Sequence, residues 1–278
     1  MSVDVDLQVV LPDESPELSP DRLTELAVDA ESLGYQTAWL PDHILPPGPF
    51  GPEFGGVYEP LTTLAYLAAH TERLRLGTSV LVLPLRNPFV VAKQAATVHR
   101  LSGGRLTLGL GIGWNRAEFT AVGAEFAGRG ARTDDALALL RALFTGASSY
   151  HGTHHAFDGG AFQPLPSAPL PIMVGGTSER ALARAATLAD EWQGFAMTPD
   201  EFAARLRTLR RLRAQAGGEP IRAGIRVEWT GGGPRELAAA VAQVHRMADA
   251  GADAVAVWFG AHEGFSDRMR EFAAAYGV

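Results

Sequence analysis

The stretch that decides the fold runs from Leu74 to Trp114 and reads LRLGTSVLVLPLRNPFVVAKQAATVHRLSGGRLTLGLGIGW. An apolar strand, an amphipathic helix and a second apolar strand follow one another across very short turns. Between the strands, Val91, Ala95, Val98 and Leu101 recur at helical spacing and are expected to form the buried stripe of the helix. Each strand ends in glycines, small residues and, in the second case, an aromatic. This is a βαβ unit of a parallel sheet, whose strands are buried on both faces and read as continuous apolar runs.

The same alternation extends in both directions. Eight strand-like segments are read near Val5–Leu11, Thr37–Pro41, Leu74–Leu83, Arg105–Gly111, Pro171–Gly175, Trp192–Ala196, Ala223–Trp229 and Ala254–Phe259. Helix signals lie between them. Ser19-Pro20 is an N-cap followed by proline at the first helical position, and Gly34 ends that helix. Thr198 and Glu201 form a capping box around Pro199. Gly233-Pro234 opens a helix with the stripe Leu237, Val241, Val244 and Ala248. Eight alternating units predict a (β/α)8 TIM barrel in the α/β class, with an open doubly wound sheet as the alternative. No composition break divides residues 1–278, which are read as a single domain. Two long segments, Asp42–Glu59 and Tyr150–Pro169, read as loops of the kind that serve as lids or binding segments.

Composition narrows the chemistry. The chain has no cysteine, which excludes disulfides, thiolate nucleophiles and cysteine-held metal centres. Its net charge of −7 comes without any basic run that would suit nucleic acid. No apolar run reaches the roughly 20 residues needed to cross a bilayer, and MSVDVDLQVVL reads as a strand rather than a signal peptide. A cytoplasmic protein with a small-molecule substrate is expected.

In a barrel the site lies at the C-terminal ends of the strands. Those ends carry Asp13, Asp42-His43, Ser79 to Pro84, Gly111 to Asn115, Gly175-Gly176-Thr177, Phe195 to Thr198, Glu228-Trp229 and Phe259-Gly260. The set is rich in glycine and poor in ionisable groups. His43 is the candidate for proton transfer near neutral pH. Gly77 to Leu81 fits either a close approach of backbone to a ligand or a tight barrel core. Gly109 to Trp114 has the spacing GxGxGW, which fails the dinucleotide fingerprint, and no helix clearly begins after it. Its glycines suit the approach of a flat ring, with Trp114 and Asn115 for stacking and an amide contact. Gly175-Gly176-Thr177-Ser178 precedes a helix over Glu179–Leu188, and fits either a phosphate turn or a plain N-cap by Thr177 or Ser178. The histidines of His151 to His155 lack acidic partners at ligand spacing and read as a solvated loop, so no metal site is assigned. Phe50, Phe54 and Tyr58 suggest either an apolar pocket wall or packing of the loop itself.

The blocks from Thr71 to Trp114, GRGARTDDALALLRALF at Gly128–Phe144, YHGTHHAF at Tyr150–Phe157 and PLPIMVGGTSERALARAATLADEW at Pro169–Trp192 together resemble the luciferase-like monooxygenase superfamily, and within it the branch that uses coenzyme F420, a deazaflavin. The resemblance implies a barrel of the bacterial luciferase-like type, a homodimer, and a redox ring bound at the strand ends with its phosphate at Gly175, Gly176 and Thr177. It implies a non-prolyl cis peptide at Ser79-Val80, forming a bulge behind the ring, with Gly111, Gly113, Trp114 and Asn115 beside it. It makes His43 the group nearest the substrate. Arg86, Arg129, Arg132 and Arg180 are candidates for the acidic tail of F420. Sugar-phosphate dehydrogenases of this superfamily carry a glutamate where this chain has Ile112, and Glu118 is expected to pack outside. The implied activity is hydride transfer between F420 and a small organic molecule. The rivals are an FMN-dependent monooxygenase, a metal-dependent hydrolase built on His43, Asp42 and the 151–155 histidines, and a flavin-binding protein without activity.

Overall fold

All eight anticipated strand segments are present and run parallel around a closed TIM barrel, in a computed structural model that describes residues 5–46, 48–51 and 55–278. In chain order the elements are β1 (Asp6–Val10), α1 (Pro20–Ser32), β2 (Thr37–Leu40), α2 (Pro60–Ala68), β3 (Arg75–Thr78), β4 (Leu81–Val82), α3 (Pro88–Leu101), β5 (Leu106–Gly111), α4 (Arg116–Ala121), α5 (Arg129–Phe144), β6 (Ser149–His151), β7 (Ala156–Asp158), β8 (Ile172–Gly175), α6 (Glu179–Leu188), β9 (Glu191–Phe195), α7 (Pro199–Gln215), β10 (Arg222–Glu228), α8 (Pro234–Asp249), β11 (Ala254–Trp258) and α9 (Phe265–Tyr276). Around the barrel the strands follow β1, β2, β3, β5, β8, β9, β10 and β11, and β11 pairs back onto β1. None of the helices is long and apolar enough to cross a membrane, among the described residues.

Local chemistry sets the helix starts. Ser19 and Asn87 accept N–H groups of the first turns of α1 and α3, and Thr198 and Glu201 cap α7 reciprocally. Proline occupies the first position of α1, α2, α3, α7 and α8, where no N–H is needed. Ser178, rather than Thr177, is the N-cap of α6. Each such cap contributes about 1 kcal/mol.

Four local expectations need correction. The third strand segment is not continuous over Leu74–Leu83: β3 and β4 are separated by the cis peptide Ser79-Val80, and a single 3-10 turn follows at Leu83–Leu85. A short helix, α4, does begin after Trp114, with Asn115 as its N-cap. The Tyr150–Pro169 segment contains the antiparallel hairpin β6–β7. That hairpin is tied to α5 by Asp135, which accepts from the Tyr150 hydroxyl, the N–H groups of Thr153, His154 and His155, and lies 2.9 Å from His155 Nδ1. Finally, Leu101 is 65% exposed. The buried face of α3 runs through Val91, Ala92, Ala95, Ala96 and His99, and a residue two positions past His99 turns away from it.

The barrel axis is filled from below. Strand alternation points every second residue inward. At the base, Arg222 pairs with Asp6, while Arg75 donates to Thr107 Oγ1 at 2.9 Å and lies 3.6 Å from Glu191. Above this polar ring Trp39 lies across the axis, its Nε1 donating to Gln8 Oε1 at 2.8 Å. Val10, Met173 and Ala256 pack with it. Gly77 is the other half of that arrangement, because a Cβ there would sit 2.3 Å from the Trp39 ring. Of the two readings of Gly77, the tight core is the one realised.

His99 gives this fold a pH signature. Its ring is fully buried, and neither nitrogen has a hydrogen-bond partner among the described residues. Burial pushes its pKa below the ordinary 6.5. The unfolded chain therefore takes up the proton first as the pH falls, so stability holds above about 6.5 and declines below it. Between about pH 7.5 and pH 5.5 the change in denaturant midpoint is expected to be more favourable in His99→Leu than in the parent, because the His99 contribution to the loss at low pH is removed. An identical change in both proteins would contradict the assignment.

Candidate functional site

The hollow at the C-terminal mouth of the barrel measures about 440 Å³, within the range of small-molecule sites. Its floor is built by Ser79 and Val80. The Ser79 hydroxyl donates to Gln193 Oε1 at 2.6 Å, joining β3 to β9 across the interior. Val80 rises on the bulge, and its two methyl groups occupy the space that side chains at Gly111 and Gly175 would need. A Cβ at Gly111 would lie 2.4 Å from Val80 Cγ2, and one at Gly175 would lie 2.7 Å from Val80 Cγ1. These glycines thus serve the bulge first, a role that the sequence reading gave to an approaching ring. Gly113 is held in the left-handed region (φ +70°), and a side chain there would strike Val82 and Phe119.

The wall at β2 carries the proton-transfer candidate. His43 lines the hollow, and its Nδ1 lies 3.2 Å from Glu118 Oε2. Glu118 is buried on α4, and its Oε1 accepts the backbone N–H groups of Ile44 at 2.8 Å and Leu45 at 3.0 Å. The expectation that Glu118 packs outside is therefore wrong. The loop after β2 folds over the first turns of α4 and encloses the carboxylate, which acts as an acceptor to three donors. With Nδ1 as donor, Nε2 is the ring position that can exchange a proton with a ligand. The Trp114 ring meets His43 edge-on at 6.1 Å.

Asp42 is spent on structure. It forms a two-pronged pair with Arg86 at 2.7 and 2.8 Å, and accepts the Val82 N–H at 2.7 Å. The pair anchors β4 beside the bulge and removes Arg86 from the candidates for a ligand's acidic tail. Arg129 donates to the Gly113 carbonyl and stacks on Phe126, and Arg132 is held by Glu125 and Ala127. Arg180 is exposed on the first turn of α6.

Of the expected cofactor contacts, Ser79, Val80, Gly111, Gly113, Trp114, Gly175 and Gly176 line the hollow together with His43. Asn115 and Thr177 do not line it. The Asn115 side chain accepts from Ala117 N–H as the α4 cap and is itself buried. Gly176 (φ +119°) makes the turn into α6, and its carbonyl is fixed by Trp192 Nε1 at 2.8 Å. Tyr58 packs its own loop down, with its hydroxyl on the Leu18 carbonyl and its N–H on Asp13. Phe50 is half-buried, and Phe54 lies outside the described residues.

The hollow is less poor in ionisable groups than the strand ends implied. Asp13, Glu14 and Arg226 line it as well. Burial pushes the Asp13 carboxyl up to about 7, the neighbouring Glu14 adding to the rise while N–H groups of Tyr58 and Val57 oppose it. Glu14 accepts from the backbone and the ring of His262 at 2.7 and 2.9 Å. Arg226 was missed because β10 was read as an apolar run. The period-two signal was present in Arg222, Gly224, Arg226 and Glu228, which alternate with the apolar Ala223, Ile225 and Val227. A metal constellation of His43, Asp42 and the hairpin histidines is not assembled: Asp42 is paired with Arg86, His155 with Asp135 and His151 with Asp158.

A family model described as luciferase-like monooxygenase matches residues 5–275. An uncharacterized protein of Mycobacterium tuberculosis is 36% identical over 206 residues, covering 69% of this chain and 71% of the relative. An F420-dependent glucose-6-phosphate dehydrogenase of Amycolatopsis mediterranei is 33% identical over 163 residues, covering 57% of this chain and 48% of the relative. Among solved structures, an F420-dependent secondary alcohol dehydrogenase superposes with a TM-score of 0.83 at 16% identity, covering 99% of this chain and 100% of that one. That likeness speaks to the fold.

The contact of Val80 with its two glycines can be tested by a double-mutant cycle. Gly111→Ala is expected to cost about 1–3 kcal/mol through overpacking. Val80→Ala in the same chain should recover most of that loss, since it removes the colliding methyl groups. Additive losses in the double variant would show that the two positions do not share the slot.

Proposed function

The chain belongs to the luciferase-like monooxygenase family, and we propose that it is an oxidoreductase that binds coenzyme F420 in the mouth of the barrel and transfers a hydride between it and a small organic substrate. The observation that carries this reading is the juxtaposition of the His43–Glu118 pair with a hollow floored by the Val80 bulge. The name of the Amycolatopsis relative supports F420 as the cofactor.

The residues present fit such a group. Val80 offers an apolar surface against which a flat ring can rest, and the hydrogen-bonded Ser79 and Gln193 line the same hollow. Gly175 and Gly176 lead from β8 toward the N-terminus of α6, where helix N–H groups and the dipole favour a phosphate. When bound, F420 supplies a ring carbon that accepts or donates the hydride. The protein supplies burial and alignment. His43, at the edge of the hollow, is positioned to move the accompanying proton at a substrate oxygen through Nε2. Glu118 is a positioning residue. It fixes the tautomer and direction of the imidazole by accepting at Nδ1, and it fixes the loop through Ile44 and Leu45.

Titration of the purified protein with F420 and with FMN tests the cofactor assignment. Saturable F420 binding at least ten-fold tighter than FMN is expected. Equal or tighter FMN binding would overturn it in favour of a flavin monooxygenase. A panel of alcohols, followed by loss of the cofactor's visible absorbance, then identifies a turnover substrate. On that substrate His43→Asn is expected to lower kcat by about 10²–10⁴-fold with the F420 dissociation constant unchanged. Glu118→Ala should lower kcat without raising KM in proportion, and Glu118→Gln, which keeps an acceptor oxygen, should restore part of it. Full turnover in His43→Asn would remove the proton role.

A further inference from the structure

Arg226 stands apart from the other arginines of the barrel interior. Arg222, four residues earlier on the same strand, is answered by Asp6, Glu191 and Asp253. Arg226 faces the hollow, and it is the one arginine or lysine among the described residues that line it. Glu228, exposed at the rim, attracts its charge. Among the described residues no group accepts a hydrogen bond from its guanidinium. A guanidinium has five donors in a rigid fork, and leaving them without acceptors in a partly desolvated place is costly.

Its position on the barrel indicates what the fork meets. Arg226 is in register with Phe195 on β9 and Ala256 on β11. Going round the barrel in either direction, β10 is four strands from β3, whose end carries the Ser79-Val80 bulge. The side of the hollow opposite Val80 is therefore bounded by β10 and its neighbour β11. On that side Trp258 and Phe195 lie near Arg226 in the strand register, the Asp13 and Glu14 carboxyls follow at the end of β1, and Trp114 closes the rim beside His43.

We propose that Arg226 is the specificity-determining residue of the substrate half of the hollow, and that it pairs with a carboxylate on an aromatic-sized substrate. A carboxylate matches the planar fork by two parallel hydrogen bonds, and the aromatic side chains near it cover the body of the molecule. Placing the carboxylate at β10 orients the rest of the substrate toward His43, across β11 and β1 from Arg226. This inference rests on the reading of the Val80 side as the cofactor side.

Benzoate, benzamide and phenyl phosphate are the probes. Trp114 and Trp258 line the hollow, so intrinsic tryptophan fluorescence reports binding with or without cofactor. The protein is expected to bind benzoate saturably, at least ten-fold tighter than benzamide and tighter than phenyl phosphate. Arg226→Gln should abolish the preference for benzoate over benzamide, and Arg226→Lys should keep part of it. Both should leave the F420 dissociation constant within two-fold and the melting temperature close to that of the parent. Benzoate binding that survives Arg226→Gln would overturn the proposal, as would a loss of F420 affinity in that variant, which would assign Arg226 to the cofactor. Preferential binding of phenyl phosphate would replace the carboxylate by a phosphate ester and overturn the stated class. A benzoate preference that depends on Arg226 in a protein that does not bind F420 would sustain the carboxylate pairing and refute the cofactor assignment alone.

Discussion

A barrel of eight strands must fill its own axis, and in this chain the largest piece of that filling is one indole. Trp39 lies across the interior because Gly77 gives way to it and Gln8 accepts its N–H. A residue of that volume can be placed there only if the strand beside it has no side chain at that level. Packing at interior density leaves no slack for a compromise. The consequence reaches upward. With the middle of the barrel solid, the bulge at Ser79-Val80 rests on a firm base, and the space above it becomes a hollow rather than part of the core. The glycines on β5 and β8 repeat the same logic one layer higher, where Gly111 and Gly175 yield to Val80.

Much of this was legible in the sequence, because it depended on local signals. Proline beside Ser19, Thr198 or Gly233 marked helix starts, and apolar runs between them marked the strands. The glycine-containing strand ends drew attention to the correct rim. What was not legible depended on residues far apart in the chain. Glu118 sits on a six-residue helix with no strong stripe, and its burial is decided by a loop more than seventy residues earlier that folds back over it. Leu101 satisfied a helical spacing but lay past the end of the face that His99 actually terminates. Arg226 was hidden by a habit of reading barrel strands as uniformly apolar. The polar positions of β10 alternate, and in a closed barrel one of the two sides is the interior.

The same contrast separates the two carboxylates next to His43. Asp42 adjoins it in sequence and faces an arginine. Glu118 is distant in sequence and holds its imidazole. Adjacency along a chain says little about partnership at a strand end, because consecutive residues there turn to different sides. The three-way grip of Glu118 also means that the imidazole and the loop that follows it are oriented by one group.

The solid axis also governs traffic. Below Val80 the tube is closed by Trp39 and Met173 and then by the ring of Asp6, Arg75, Glu191 and Arg222. Whatever enters the hollow must therefore come and go by its open rim, because the plug leaves no second way out below the bulge.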